Sequence, residues 1–158
     1  MSERRAGVVV SIVALTLLIS LGAGAAADSK ELAKALEGRW HAVSSEQSGR
    51  QEAEEQAKRH HLIFAGDRFT VERDGQLLMR GKYKLDAGKT PVAIDMKVEE
   101  HVNHPEQAGR VALGIIEESG DDLKWCTAAP DSAERPTEFK TAEGSDRMLV
   151  VLKREKAR

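Results

Sequence analysis

Leu36-Glu37-Gly38-Arg39-Trp40-His41-Ala42-Val43 is the stretch around which the rest of the chain is arranged. Upstream of it, Leu32, Ala33, Ala35 and Leu36 keep helical spacing, and Asp28 and Glu31 stand three apart, as in a capping box heading a short helix. Glycine tolerates a positive φ, so the helix is expected to stop at Gly38 and extended chain to open at once with one of only two tryptophans. Trp40 is therefore the candidate plug of a small barrel. Fully burying a side chain of roughly 150–250 Å² at about 25 cal/mol/Å² removes roughly 4–6 kcal/mol of apolar exposure.

Downstream, most of the chain has a period of two. A first strand is expected over residues 39–45, ended by Gln47-Ser48-Gly49. Residues 51–59 interrupt the pattern with good helix formers, the i,i+4 pairs Glu54/Lys58 and Glu55/Arg59, and almost no apolar face. They read as a surface helix or lid over one end of the sheet. Strands then follow on either side of Ala65-Gly66-Asp67, and Asp74-Gly75 is a strong hairpin signal leading into residues 76–85. There Leu77, Met79, Gly81, Tyr83 and Leu85 alternate with Arg80, Lys82 and Lys84, so one face is buried and one is wet. Val92, Ile94, Met96 and Val98 continue the alternation, followed by a polar loop at 99–109. Strands are expected at 110–117 and 122–127, a connection broken by Pro130 and Pro136, a short extension at 137–140, and a last strand at 148–154.

About eight strands on short turns, with no crossover helices, predict an all-β fold: an eight-stranded antiparallel up-and-down barrel with short N-terminal and lid helices. Closure removes the two open edges that a flat sheet would expose. The same strand count permits an open β-sandwich. On the barrel reading, Phe69, Val71, Leu77, Met79, Tyr83, Ile94, Met96, Leu113, Ile115, Leu123 and Trp125 face inward. An eight-stranded barrel is either filled by side chains or holds one small ligand.

The N-terminus has the grammar of a secretory signal peptide: a basic lead through Arg4-Arg5, an apolar run from Val8 to Leu21, and small residues before Asp28. Cleavage after Ala27 makes 1–27 the leader and 28–158 one domain. The protein is then exported, periplasmic or secreted, with no stable membrane span; the alternative is a retained N-terminal anchor. Charged residues are 32% of the chain, mixed in sign, with a net charge of −2. No basic run is long enough to track phosphates, which argues against nucleic acid as a partner. A single cysteine, Cys126, cannot staple the fold internally and reads as a small buried thiol.

Catalytic chemistry leaves little trace. The sequence has no Gly-x-Ser-x-Gly, no phosphate-binding glycine loop, no Cys-x-x-Cys and no dinucleotide fingerprint, and the expectation is a non-enzyme without a cofactor. His101 and His104, beside Glu99, Glu100 and Glu106, are weak metal candidates in what also reads as a solvated loop. Glu138 beside Arg135 reads as a surface ion pair.

Several blocks carry a family resemblance. The stretch 36–44, Phe64-Ala65-Gly66-Asp67-Arg68-Phe69-Thr70, Gly81-Lys82-Tyr83-Lys84-Leu85-Asp86, Gly120-Asp121-Asp122-Leu123-Lys124-Trp125-Cys126, Arg135-Pro136-Thr137-Glu138-Phe139-Lys140 and Leu149-Val150-Val151-Leu152-Lys153-Arg154-Glu155 resemble, in order and spacing, the lipocalin-like domain family expanded in planctomycete bacteria. The resemblance implies a lipocalin-like barrel, often exported, and no established reaction. It also implies that Gly38 and Trp40 form the plug at the closed end, beneath Arg154 or Lys153 in a cation–π contact of about 0.5–2 kcal/mol. The functional expectation is a small apolar or amphipathic ligand held against a wall of Phe69, Met79, Tyr83, Met96 and Trp125. The alternative is a filled barrel engaging a protein or the cell envelope.

Overall fold

The computed structural model describes residues 21–156, so most of the expected leader lies outside the described residues. Helix α1 (Leu21–Leu36) leads into β1 (Gly38–Gln47), a two-residue β2 (Arg50–Gln51) and a single helical turn α2 (Glu54–Ala57). Then come β3 (His60–Ala65), β4 (Arg68–Arg73), β5 (Gln76–Asp86), β6 (Val92–His101), β7 (Val111–Ser119), β8 (Asp122–Thr127) and β9 (Met148–Arg154). From β1 through β3 to β9 each strand pairs antiparallel with the next, and β9 returns to β1, so eight strands close into a barrel with β2 as an extra strand. The β1–β9 pairing rules out the open sandwich.

Four local expectations differ in the structure. Helix α1 is already formed at Leu21, so Asp28 and Glu31 lie inside it and form no capping box. Ala25, Ala26 and Ala27 are the best of helix formers and carry the helix upstream past them. The lid helix shrinks to one turn: Lys58 bonds Glu54 at 2.6 Å, but Arg59 turns away from Glu55 to the Asp74 carboxylate. Strand β6 runs on to His101, and residues 137–140 form no strand.

Side-chain parity is set by bulges as much as by alternation. The β4–β5 register steps from Val71↔Met79 to Glu72↔Leu77, leaving Leu78 extra, so Leu77 points to the outer side with Glu72. A second bulge leaves Glu99 extra where Gly81 faces Val98 and Arg80 faces Glu100. A Cβ on Gly81 would stand 1.9 Å from the Lys97 carbonyl oxygen, so only glycine fits there. On β7 the expected inward pair Leu113 and Ile115 faces out, because Ala112, Gly114 and Ile116 pair with the inward Met96, Ile94 and Val92. Ile115 is nonetheless buried, with Ala93 and Cys126, on the outer face of the sheet. The connection between β8 and β9 covers that face, and its Arg135 donates to the Ile94 carbonyl (3.1 Å), the Gly114 carbonyl (2.8 Å) and Asp95 (2.6 Å). Arg135 is thus committed to the sheet, not to Glu138.

One end of the barrel is shut by α1. Leu36 and Trp40 are fully buried, and the Trp40 indole N–H donates to the Leu36 carbonyl at 2.9 Å. The Arg154 guanidinium lies 4.1 Å from the Trp40 ring centroid and donates to the carbonyls of Ala35 and Glu37, which the helix end leaves without intrahelical partners. Gly38 makes the turn between helix and strand at φ +115°. Trp40→Ala is expected to cost about 3–5 kcal/mol, read as a lower urea midpoint with little change in slope.

Candidate functional site

The opposite end is where β1, β3, β4 and β9 run toward the connections, and there a cavity of about 610 Å³ opens among their inward side chains. Leu62, Val71, Val150 and Leu152 line its apolar part together with Trp125. Ser45 and Gln47 continue β1 outward, and His60, Arg73, Glu52 and Glu143 bring charge or polarity to the rim. The volume falls within the range of about 300–1,000 Å³ typical of small-molecule pockets, but the lining is mixed, with polar and charged residues outnumbering the apolar ones.

The bulge in β1 shapes this mouth. Register with β9 steps from Ala42↔Leu152 to Ser44↔Val151, leaving Val43 extra, so that Ser45 and Gln47 take the inward positions opposite Val150 and Met148. A small hydroxyl and a flexible amide therefore stand where an unbroken alternation would place Ser44 and Glu46. Directly across the β3–β4 ladder, His60 and Arg73 are paired residues and both line the cavity. Opposed residues on adjacent strands place their Cβ atoms about 4.5–5.5 Å apart, so two basic groups stand side by side at the rim.

The expected ligand wall divides. Of its five residues only Trp125 lines this cavity. Phe69 and Met96 are packed into the core, 1% exposed each, and Met79 packs against that core on the strand between them. Tyr83 stands edge-on to Phe64 at 4.9 Å between ring centroids and donates its hydroxyl to the Gly66 carbonyl at 2.9 Å, propping the β3–β4 turn at the shut end. Burial, followed by the charges of Glu37 and Asp67, raises the Tyr83 pKa. The plug residues Gly38, Trp40 and Arg154 do meet, whereas Lys153 points outward to Asp122 at 3.0 Å. Arg73 and His60 have no place in the ligand wall expected from the sequence. Their signal was present: Phe69, Val71 and Arg73 share one parity, which carries a charged residue inward.

The His101 and His104 rings meet edge to face, 4.9 Å between centroids. The His104 amide donates to His101 Nδ1 at 3.2 Å, and His104 Nδ1 lies 3.2 Å from Glu106. Glu99 and Glu100 are taken by Arg68 and Arg80 at 2.8 and 2.7 Å, and among the described residues no group of three His, Cys, Asp or Glu is placed to hold a metal ion. Desolvation, and after it repulsion from His104, holds the His101 imidazole below its ordinary pKa. The neutral ring is the acceptor for the loop, so this contribution is present above the unfolded histidine value and lost as pH falls through the folded one. Protection of the His104 amide, read by NMR as its exchange rate relative to the intrinsic rate at the same pH, should fall as pH is lowered through and below the ordinary histidine range.

Cys126 is fully buried on the outer face, its Sγ 3.8 Å from the Lys140 carbonyl, and burial raises its pKa. A thiol raised in the folded state supports folding below the unfolded thiol pKa, and that support is lost as pH rises through the folded value. Iodoacetamide at mildly alkaline pH should label Cys126 far more slowly in the native protein than in urea.

No protein-family model and no curated protein matches the chain. Its class therefore rests on architecture: a closed eight-stranded antiparallel barrel with a helix across one end and a cavity at the other, consistent with a lipocalin-like barrel.

Proposed function

We propose that this protein is an exported, non-enzymatic binding protein, belonging to the lipocalin-like family its sequence blocks resemble, that carries a small apolar or amphipathic molecule in the barrel. The observation that carries the reading is the cavity of about 610 Å³, apolar within and polar at its rim, at the end not occupied by α1. The seat is not the one the strand alternation suggested: it lies between β1, β3, β4, β8 and β9, while Phe69, Met79, Tyr83 and Met96 support the barrel around it.

The opposing reading, a filled barrel that works through its loops, is disfavoured by the same cavity. The expected exported form begins at Asp28, and export itself is tested by sequencing the N-terminus of the protein recovered from the producing cell's exterior or periplasm. For the binding reading, native mass spectrometry of protein purified without detergent should show an added mass that disappears on denaturation. Ser45→Phe places a ring in the cavity from a position with room for it, and should abolish that added mass while leaving the thermal midpoint within a few degrees of the parent (about 1 kcal/mol or less). A bare mass for the parent, unchanged after incubation with a lipid and metabolite extract, would sink the proposal.

A further inference from the structure

Asp28 and Glu31 carry the spacing of a capping box, yet they lie in the middle of α1, where a helix needs no cap. The helix runs unbroken from Leu21 to Leu36, so by its i→i−4 pattern the amides of Asp28, Ser29, Lys30 and Glu31 are served by the carbonyls of Gly24, Ala25, Ala26 and Ala27. Those four carbonyls belong to the expected leader. Hydrolysis after Ala27 adds water across the peptide bond, leaving a carboxylate on Ala27 and an ammonium on Asp28, and takes all four acceptors away at once. A helix that loses its first turn in this way needs side chains to replace them.

The barrel holds α1 on both sides of that bond. Upstream, Ala25 lies against the β5–β6 turn, where a Cβ on Gly88 would stand 3.2 Å from the Ala25 Cβ, and the Ala25 carbonyl accepts the Ser29 hydroxyl at 2.7 Å. Downstream, the Ala87 amide donates to Ser29 Oγ at 3.1 Å, Leu32 packs against the core, Leu36 is fully buried, and Arg154 donates to the Ala35 and Glu37 carbonyls. The contacts with the core thus survive the cut, provided that the helix between them and the new terminus stays wound.

We infer, resting on the export reading above, that Asp28 and Glu31 are a capping box of the processed chain alone. Once the leader is gone, Asp28 becomes the N-cap, with Ser29, Lys30 and Glu31 as the first three helical positions. The Asp28 carboxylate then accepts from the Glu31 amide, and the Glu31 carboxylate, which lies 3.5 Å from Lys34 in the full chain, turns back to the new ammonium. Both carboxylates stand at the positive end of the shortened helix and offset that ammonium. Ser29 gives up Ala25 and keeps Ala87. Removal of the leader therefore restarts α1 at Asp28 and leaves the shut end closed over Trp40.

The same substitution acts differently before and after the cut, which separates a cap from an ordinary helical residue. Within the unbroken helix, Asp28→Ala and Glu31→Ala introduce the best helix former and should leave hydrogen-exchange protection of the amides of residues 32–36 equal or higher. At the start of the processed helix each removes half of the box and should lower that protection about fivefold. The full chain is purified in detergent, part of it is cut with leader peptidase, and exchange is read by mass spectrometry on both forms; the product mass locates the cut, and the near-UV Trp signal checks that the barrel is folded. Glu31→Ala, three residues from the bond, carries the test if Asp28→Ala shifts the cut. Equal effects in the two forms, or none in the processed one, would overturn the cap and leave the export reading standing. A parent chain that is not cut, or whose product starts elsewhere than Asp28, would overturn both.

Discussion

The structure depends on β9 finding β1. The pair joins the first and last strands, from Trp40↔Arg154 to Gln47↔Met148, and without it the strands form a sheet with two open edges. The last residue of β9 is also the group that finishes the shut end, since Arg154 lies over Trp40 and donates to the Ala35 and Glu37 carbonyls at the end of α1. Closure of the sheet, capping of the helix and burial of the largest side chain thus arrive together.

The division of the barrel into a shut end and an open one follows from where large side chains fall. Trp40, Phe64, Phe69 and Tyr83 all sit toward the α1 end and fill the cross-section there. Toward the other end Ser45, Gln47, Val71 and Val150 hold inward positions beside Trp125, and the space left between them is the cavity. Three bulges, at Val43, Leu78 and Glu99, tune this distribution by reversing which neighbours point inward. The outer face is used as well: Ala93, Ile115 and Cys126 are buried beneath the long β8–β9 connection, with Arg135 fastened to the sheet. That second layer explains why β7 is apolar on both faces.

Particular elements show what could be read in advance. The Asp74-Gly75 hairpin, with both residues at positive φ, and the Gly38 break before Trp40 are local signals, and local signals survive folding. The β9 strand was read to the residue. Leu77, Leu113 and Ile115 were placed on the wrong face, because a period of two carries no mark of the extra residue at a bulge and no mark of a connection folded over the outer surface. The ligand wall was displaced for a different reason. A cavity is a volume left over between strands distant in sequence, whereas apolar alternation reports only which side chains are turned from water.

The sequence by itself therefore determined an antiparallel all-β chain, most of its strand and turn positions, and the helix-to-strand break at Gly38 before Trp40, because each depends on residues near one another in the chain. Only the tertiary structure decided that Arg154 and not Lys153 faces Trp40, that Phe69, Tyr83 and Met96 are core, and that Arg73, His60 and Trp125 share one cavity. Those facts depend on register between strands and on the packing of unlike volumes, which exist only once the barrel is closed.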